Sequence, residues 1–234
     1  MAMIRKENNS GRLALFQERT NRDYVHVEDG SVAQIKALTL CLRKEWYRTH
    51  GYGGGLERPP LSDGDLKWMH GTAIGDYLNA TQHRVTWDLP NGKVSGRLDD
   101  YHQAIGPIEY KVTWGGKRDE PSGQYQEQLM SYMAALRTPG GELDIFHMVG
   151  GGPSGKAFSP APYLEVFTLH MEEWEFIEWE AIMDNRLGYV IAGDPPDFPE
   201  MHYGWECRYC EYGRAGICHA PKGTKPEVAN VKGV

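Results

Sequence analysis

At 234 residues, with 40% hydrophobic and 24% charged side chains, the chain is long enough for one compact core and a small appendage. A formal net charge of −7 argues against a protein that coats nucleic acid by bulk charge, but leaves room for an enzyme that grips it locally. No window carries the uninterrupted apolar run of a membrane helix, and residues 1–22 lack the apolar stretch of a signal peptide, so a cytoplasmic protein with no membrane association is expected.

In chain order, residues 1–30 form a polar N-terminal segment. Ser31 is placed to cap a helix running to about residue 49, with Ile35, Leu38, Leu42 and Trp46 on one face. This stretch is net basic, with Lys36, Arg43, Lys44 and Arg48. A Gly/Pro-rich loop follows, then a helix from about residue 63 to 79. The period then changes to strands at 84–89, 93–101 and 107–114, with Asn91-Gly92 as a hairpin signal. A helix is expected over 124–136, ended by Pro139-Gly140-Gly141. Strands at 144–149 and 163–170 precede a long amphipathic helix over 171–190, which should bury Trp174 and Trp179. Helices, a strand meander, a helix, more strands and a helix predict an α/β fold, with one central mixed sheet flanked by helices. The expected organisation is a single domain over 31–220 and a tail over 221–234. A cysteine subdomain from 31–60 and 195–220 would flank a core over 61–194.

Glu109 and Lys111 stand two apart on a predicted strand, so they share a face. Asp99 lies on the preceding strand, where pairing would bring its carboxylate beside Glu109. Two carboxylates at one point repel unless a cation lies between them, and hard oxygen ligands select Mg²⁺ or Mn²⁺. Gln128 and Tyr132, four apart, share one face of the next helix. The alternative reading of each piece is bland: a charged strand face, a turn at Asp99-Asp100, a core tyrosine and a solvated glutamine.

The ordered set Gly96–Asp99 (G-x-x-D), Glu109–Lys111 (E-x-K) and Gln128–Tyr132 (Q-x-x-x-Y) resembles the PD-(D/E)XK nuclease superfamily, in its RecB-like exonuclease branch. The resemblance implies a restriction-endonuclease-like core. It implies that Asp99, Glu109 and the Tyr110 carbonyl hold the metal, that Lys111 positions or activates the attacking water, and that Gln128 and Tyr132 sit beside it. Its product usually keeps the phosphate on the 5′ side. The family's helix histidine, in a G-x-x-x-H pattern, has Gly75 at the matching place. His70 lies five residues earlier, about 140° around the helix, and is a candidate metal ligand where the helix begins or bends there.

The four cysteines are Cys41, Cys207, Cys210 and Cys218. In a cytoplasmic chain one four-ligand metal site is favoured over two disulfides. Zinc and a 4Fe–4S cluster both fit four thiolates, although zinc ribbons normally bring two C-x-x-C knuckles and this chain has one. One cysteine before the core and three after it resemble the iron–sulfur subgroup of RecB-like nucleases, which includes the CRISPR-associated exonuclease family. The resemblance therefore implies a 4Fe–4S cluster joining the N- and C-terminal segments. It also implies DNA as the partner, single-stranded or with free ends. Recombination, CRISPR-adaptation or viral replication proteins would be further partners, in a prokaryotic cell or a phage-infected host. Arg43, Lys44 and Trp114 are candidate DNA contacts, the last by stacking on unpaired bases. Two other readings stand beside the nuclease: a DNA-binding or scaffold protein of the same fold without the chemistry, and a zinc-stabilised interaction module.

Overall fold

The structure, a computed structural model, describes residues 30–52, 82–113, 120–147, 163–196 and 206–218. His70, Gly75, Trp114 and the helix expected over 63–79 lie outside the described residues. No helix among the described residues is long and apolar enough to cross a membrane.

The elements alternate in type along the chain. Strand β1 (Ala33–Gln34) leads into helix α1 (Ile35–Leu38), and helix α2 covers Leu42–Thr49. Strands β2 (His83–Leu89), β3 (Gly92–Leu98), β4 (Asp100–His102) and β5 (Gly106–Thr113) precede helix α3 (Gly123–Leu136). Strands β6 (Gly140–His147) and β7 (Tyr163–His170) precede helix α4 (Glu173–Ile191). Two short helices, α5 (Glu206–Tyr209) and α6 (Glu211–Arg214), follow.

The architecture is α/β, but the strands divide into two sheets where one was expected. One sheet has the order β1-β3-β2; the other, β4-β5-β6-β7, is mixed, with only β5 and β6 parallel. The division falls at Asp99. The strand expected over 93–101 ends at Leu98 and resumes at Asp100, because the chain leaves β2 there and pairs instead with β5. The hairpin register pairs Leu89 with Gly92, so the turn residues are Pro90 and Asn91, one step earlier than the Asn-Gly reading. Asn91 is tied to α4 by its backbone N–H and side-chain amide, which donate to the Asp184 carboxylate at 2.7 and 3.0 Å.

The helix expected over 31–49 is interrupted. The Thr39 hydroxyl and N–H both turn back on the Lys36 carbonyl, at 2.9 and 3.2 Å, which closes α1 after a single turn. α3 stops at Arg137, which takes a left-handed conformation (φ 52°). Gly140 and Gly141, read as the stop signal, instead begin β6. A Cβ at Gly141 would lie 2.9 Å from the Met133 sulfur and 3.1 Å from Leu129 Cδ1, so the glycine lets α3 lie close on the sheet.

One core lies between the sheets and the helices, with Ile35, Leu98, Leu129, Met133, Leu143, Met183 and Leu187 fully enclosed. α4 begins in a capping box formed by Glu172 and Glu175, where first-turn carboxylates also favour the helix dipole. Trp179 is buried as expected, but Trp174 is 56% exposed. Arg186 crosses the interior. Its Nη1 donates to Glu127 at 3.0 Å and to the Leu38 carbonyl at 3.4 Å, which fixes α1 against α3 and α4.

A second, small apolar cluster joins the C-terminal helices to α2. Trp46, Tyr47 and Tyr212 are its buried members, and the Tyr47 and Tyr212 rings stack at 5.2 Å. Trp46 Nε1 donates to the Ala192 carbonyl at 2.8 Å, and the Tyr47 hydroxyl to the Ile217 carbonyl at 3.3 Å.

Candidate active site

Four elements place the polar cluster expected from the sequence. β5 supplies Glu109 and Lys111 on one face. The junction between the two sheets supplies Asp99, and α3 lays Gln128 and Tyr132 across them. The Lys111 ammonium donates to Glu109 Oε1 and, at 3.0 Å, to Gln128 Oε1. Gln128 Nε2 donates to the same Glu109 oxygen at 2.7 Å. Glu109 Oε2 is buried without a hydrogen-bond partner among the described residues. The Tyr110 N–H donates to Asp99 Oδ2 at 2.9 Å, which aims the Asp99 side chain at β5. The Tyr132 hydroxyl donates to the Arg97 carbonyl at 2.9 Å, two residues before Asp99.

Gly96 makes this arrangement possible. A Cβ there would stand 2.9 Å from Tyr132 Cε1 and 3.2 Å from Ile35 Cβ, so only a glycine lets the tyrosine ring lie flat on β3. The first residue of the G-x-x-D pattern is thus a packing requirement.

Burial and charge compete at the centre, where the Glu109 and Lys111 side chains are 4% and 13% exposed. Burial pushes the Glu109 carboxyl above the usual carboxylate range, and the Lys111 ammonium only partly opposes this. Burial also pulls the Lys111 pKa down, but the Glu109 and Asp99 carboxylates outweigh it, leaving the pKa raised. The two carboxylates beside it favour the ammonium form of Lys111.

Three residues at this site carried no signal in the sequence. The Lys111 ammonium lies 5.4 Å from the Tyr125 ring centroid, over its face. Lys36 on α1 is coupled electrostatically to Lys111, Glu109 and Asp99. His147, to which no motif was assigned, is 3% exposed and pairs with Glu165 at 2.7 Å beside Tyr125, in a small cavity. None of them belongs to the ordered motifs: Tyr125 lies on α3 one turn before Gln128, Lys36 on α1 and His147 at the end of β6.

Arg43 and Lys44 lie elsewhere. Lys44 is paired with Glu211 at 3.2 Å, and Arg43 interacts with the Tyr47 hydroxyl, both toward the cysteine-bearing end.

The cofactor expectations are corrected. Among the described residues, no group of three or more His, Cys, Asp or Glu side chains is arranged to hold a metal ion. This overturns the expected Mg²⁺ or Mn²⁺ site and the expected 4Fe–4S or zinc centre. The four cysteines are free. Burial pushes the Cys41 thiol up to about 12. The segments over 42–49 and 206–218 are joined by the Trp46–Tyr47–Tyr212 cluster and its hydrogen bonds.

The fold and site together describe an α/β protein with mixed sheets flanked by helices and a buried carboxylate–lysine cluster at the junction of two sheets. The crystal structure of SSO0001 is similar, with a TM-score of 0.60 and 17% identity over 93% of this chain and 98% of that one. At that identity the likeness establishes the fold alone. A phage related exonuclease from Haemophilus somnus 129PT is matched more loosely, with a TM-score of 0.40 and 11% identity over 69% of this chain and 93% of that one. No family model and no curated protein matches the chain.

Proposed function

We propose that this chain is a nuclease that hydrolyses phosphodiester bonds of DNA at the Asp99–Glu109–Lys111 cluster. The observation that carries the reading is a buried ammonium clamped by Glu109 and Gln128, beside a carboxylate oxygen, Glu109 Oε2, with no hydrogen-bond partner among the described residues. A phosphate is the anion such an ammonium would hold. A carboxylate whose pKa is raised by burial is a better base than a solvated one.

In this reading Glu109 Oε2 takes a proton from the attacking water as its oxygen bonds to phosphorus. One ester oxygen leaves, carrying the electron pair of the broken P–O bond. The Lys111 ammonium stabilises the negative charge that grows on the non-bridging oxygens. Asp99 orients the water from the other side. Gln128 holds Lys111 and Glu109 in register, and Tyr132 fixes the strand that carries Asp99.

The test is incubation of end-labelled single- and double-stranded DNA with the purified protein, with and without divalent cations, beside Lys111→Ala and Glu109→Gln. Cleavage by the natural protein that is lost in both variants supports the reading. Cleavage retained by Lys111→Ala removes the lysine from the mechanism. No cleavage by the folded protein under any condition favours the binding or scaffold reading.

A further inference from the structure

We propose that the cavity beside Tyr125 is a subsite for a sugar hydroxyl of the nucleotide next to the scissile phosphate, held by the Glu165 carboxylate. The proposal rests on the nuclease reading for where the phosphate lies, and on the cavity for what lies beside it. Lys111 and Thr113 are two apart on β5, so they share a face, and Thr113 stands about 7 Å further along it. β6 runs parallel to β5, with Ile145 opposite Lys111 and His147 opposite Thr113, and β7 brings Glu165 opposite Ile145. One sheet face therefore leads from Glu109 and Lys111 to Thr113, His147 and Glu165. Tyr125 of α3 spans the two places. Its ring centroid lies 5.4 Å from the Lys111 ammonium, and it lines the cavity together with Thr113, Ser122, His147 and Glu165. The cavity holds about 30 Å³, room for about two water-sized groups and too little for a base.

The lining decides the class of ligand. The His147 and Glu165 side chains are 3% and 10% exposed and stand 2.7 Å apart, so the imidazole holds the carboxylate in place. That pair engages one oxygen of a group that has two, each able to accept. A hydroxyl donates to such a carboxylate, whereas a phosphate oxygen only accepts and meets a like charge. Ser122 adds a second polar group. It stands at the N-cap of α3, where a serine hydroxyl ordinarily accepts from a first-turn N–H, yet it makes no capping hydrogen bond and lines the cavity. An ion pair kept only to pack β6 on β7 needs neither the cavity nor the uncommitted serine. Sugar hydroxyls occur in DNA only at chain ends, as a 3′- or 5′-hydroxyl, and in RNA at every 2′ position. A subsite one residue pair beyond Lys111 that takes such a group selects free ends, or RNA, over the interior of a DNA strand.

The experiment measures binding apart from cleavage, by fluorescence anisotropy in chelator, with gel analysis to confirm that the strand stays intact. The probes are internally labelled single strands of one sequence: one with hydroxyls at both ends, others with the 3′- or the 5′-hydroxyl removed or phosphorylated, and the RNA counterpart. Removing or phosphorylating the hydroxyl that the cavity takes is expected to weaken binding about tenfold, as for one hydrogen bond to a charged group. The end at which the loss occurs identifies the source, and tighter binding of RNA without an end effect identifies the 2′-hydroxyl. Glu165→Gln, which removes the charge and keeps the shape, should abolish most of that preference. Ser122→Ala, at the helix end, should lower the same preference, and serves where Glu165→Gln does not fold. Equal affinity of the natural protein for all the probes, or tighter binding of a phosphorylated end, would overturn the proposal whatever the cleavage assay gives. So would an undiminished preference in folded Glu165→Gln. A hydroxyl preference in a protein that never cleaves would leave the subsite standing and remove the hydrolysis. Natural protein that does not bind at all would end both.

Discussion

Replacing Lys111 with alanine should unbalance the interior. Lys111 is the cation beside Glu109, and that carboxyl is 4% exposed. Removing one member of a buried ion pair leaves the other uncompensated, which costs about 3–5 kcal/mol. In a domain of this size, that lowers the melting temperature by about 10 °C. The loss must depend on pH with a definite sign. Glu109 already has a raised carboxyl pKa in the folded protein, and removing the ammonium raises it further. The folded variant then binds more protons than the unfolded chain between the ordinary glutamate pKa and the raised one. Stability therefore falls as pH rises through that window. Urea denaturation of the natural protein and Lys111→Ala at pH 5 and pH 8 should show the larger deficit at pH 8. Adding Glu109→Gln to Lys111→Ala should recover most of it. An equal deficit at both pH values, or no recovery in the double variant, would refute the reasoning.

Gly96→Ala should destabilise the protein by about 1–3 kcal/mol, because the new methyl meets the Tyr132 ring at 2.9 Å; urea denaturation reads the stability and the DNA cleavage assay reads the accompanying displacement of Asp99. Asp144→Asn should stabilise it. Burial, then repulsion from Glu142, raises the Asp144 pKa to about 6, so the natural protein loses stability as pH rises from about 4 through 6. With the side chain half-buried and partly screened, the gain at pH 8 is about 1 kcal/mol, and none is expected at pH 4.

What the sequence disclosed and what it hid follow from the range of the interactions. Glu109 with Lys111, and Gln128 with Tyr132, are set by the period of one element, so spacing alone put each pair on one face. The strands at β2, β5 and β7 were legible for the same reason. The break at Asp99 was not, because Lys93 to Tyr101 has uniform strand character. Only the choice of partner, β2 before Asp99 and β5 after it, divides the run. The interruption at Thr39 was hidden by an apolar spacing that continues across it from Leu38 to Leu42. Gly140-Gly141 reads as punctuation in isolation, and its real role depends on how closely α3 approaches. The metal expectations came from resemblance and from the chemistry of donor types, and neither specifies where the side chains meet. Lys36 looked like one member of a basic stretch. Its electrostatic coupling to the cluster depends on β1 pairing with a strand some sixty residues later, which no local pattern records.

Asp99 is the single residue between Leu98, the last of one sheet, and Asp100, the first of the other. Its carboxylate therefore has no home in either sheet alone. A molecule in which only β1, β2 and β3 have formed carries Asp99 on a loose end. One in which only β4 to β7 have formed keeps the Tyr110 N–H for the Asp99 carboxylate, but lacks the β3 backbone that leads into Asp99. Both sheets must be in place before the cluster is complete, so its geometry reports on the docking of one sheet against the other.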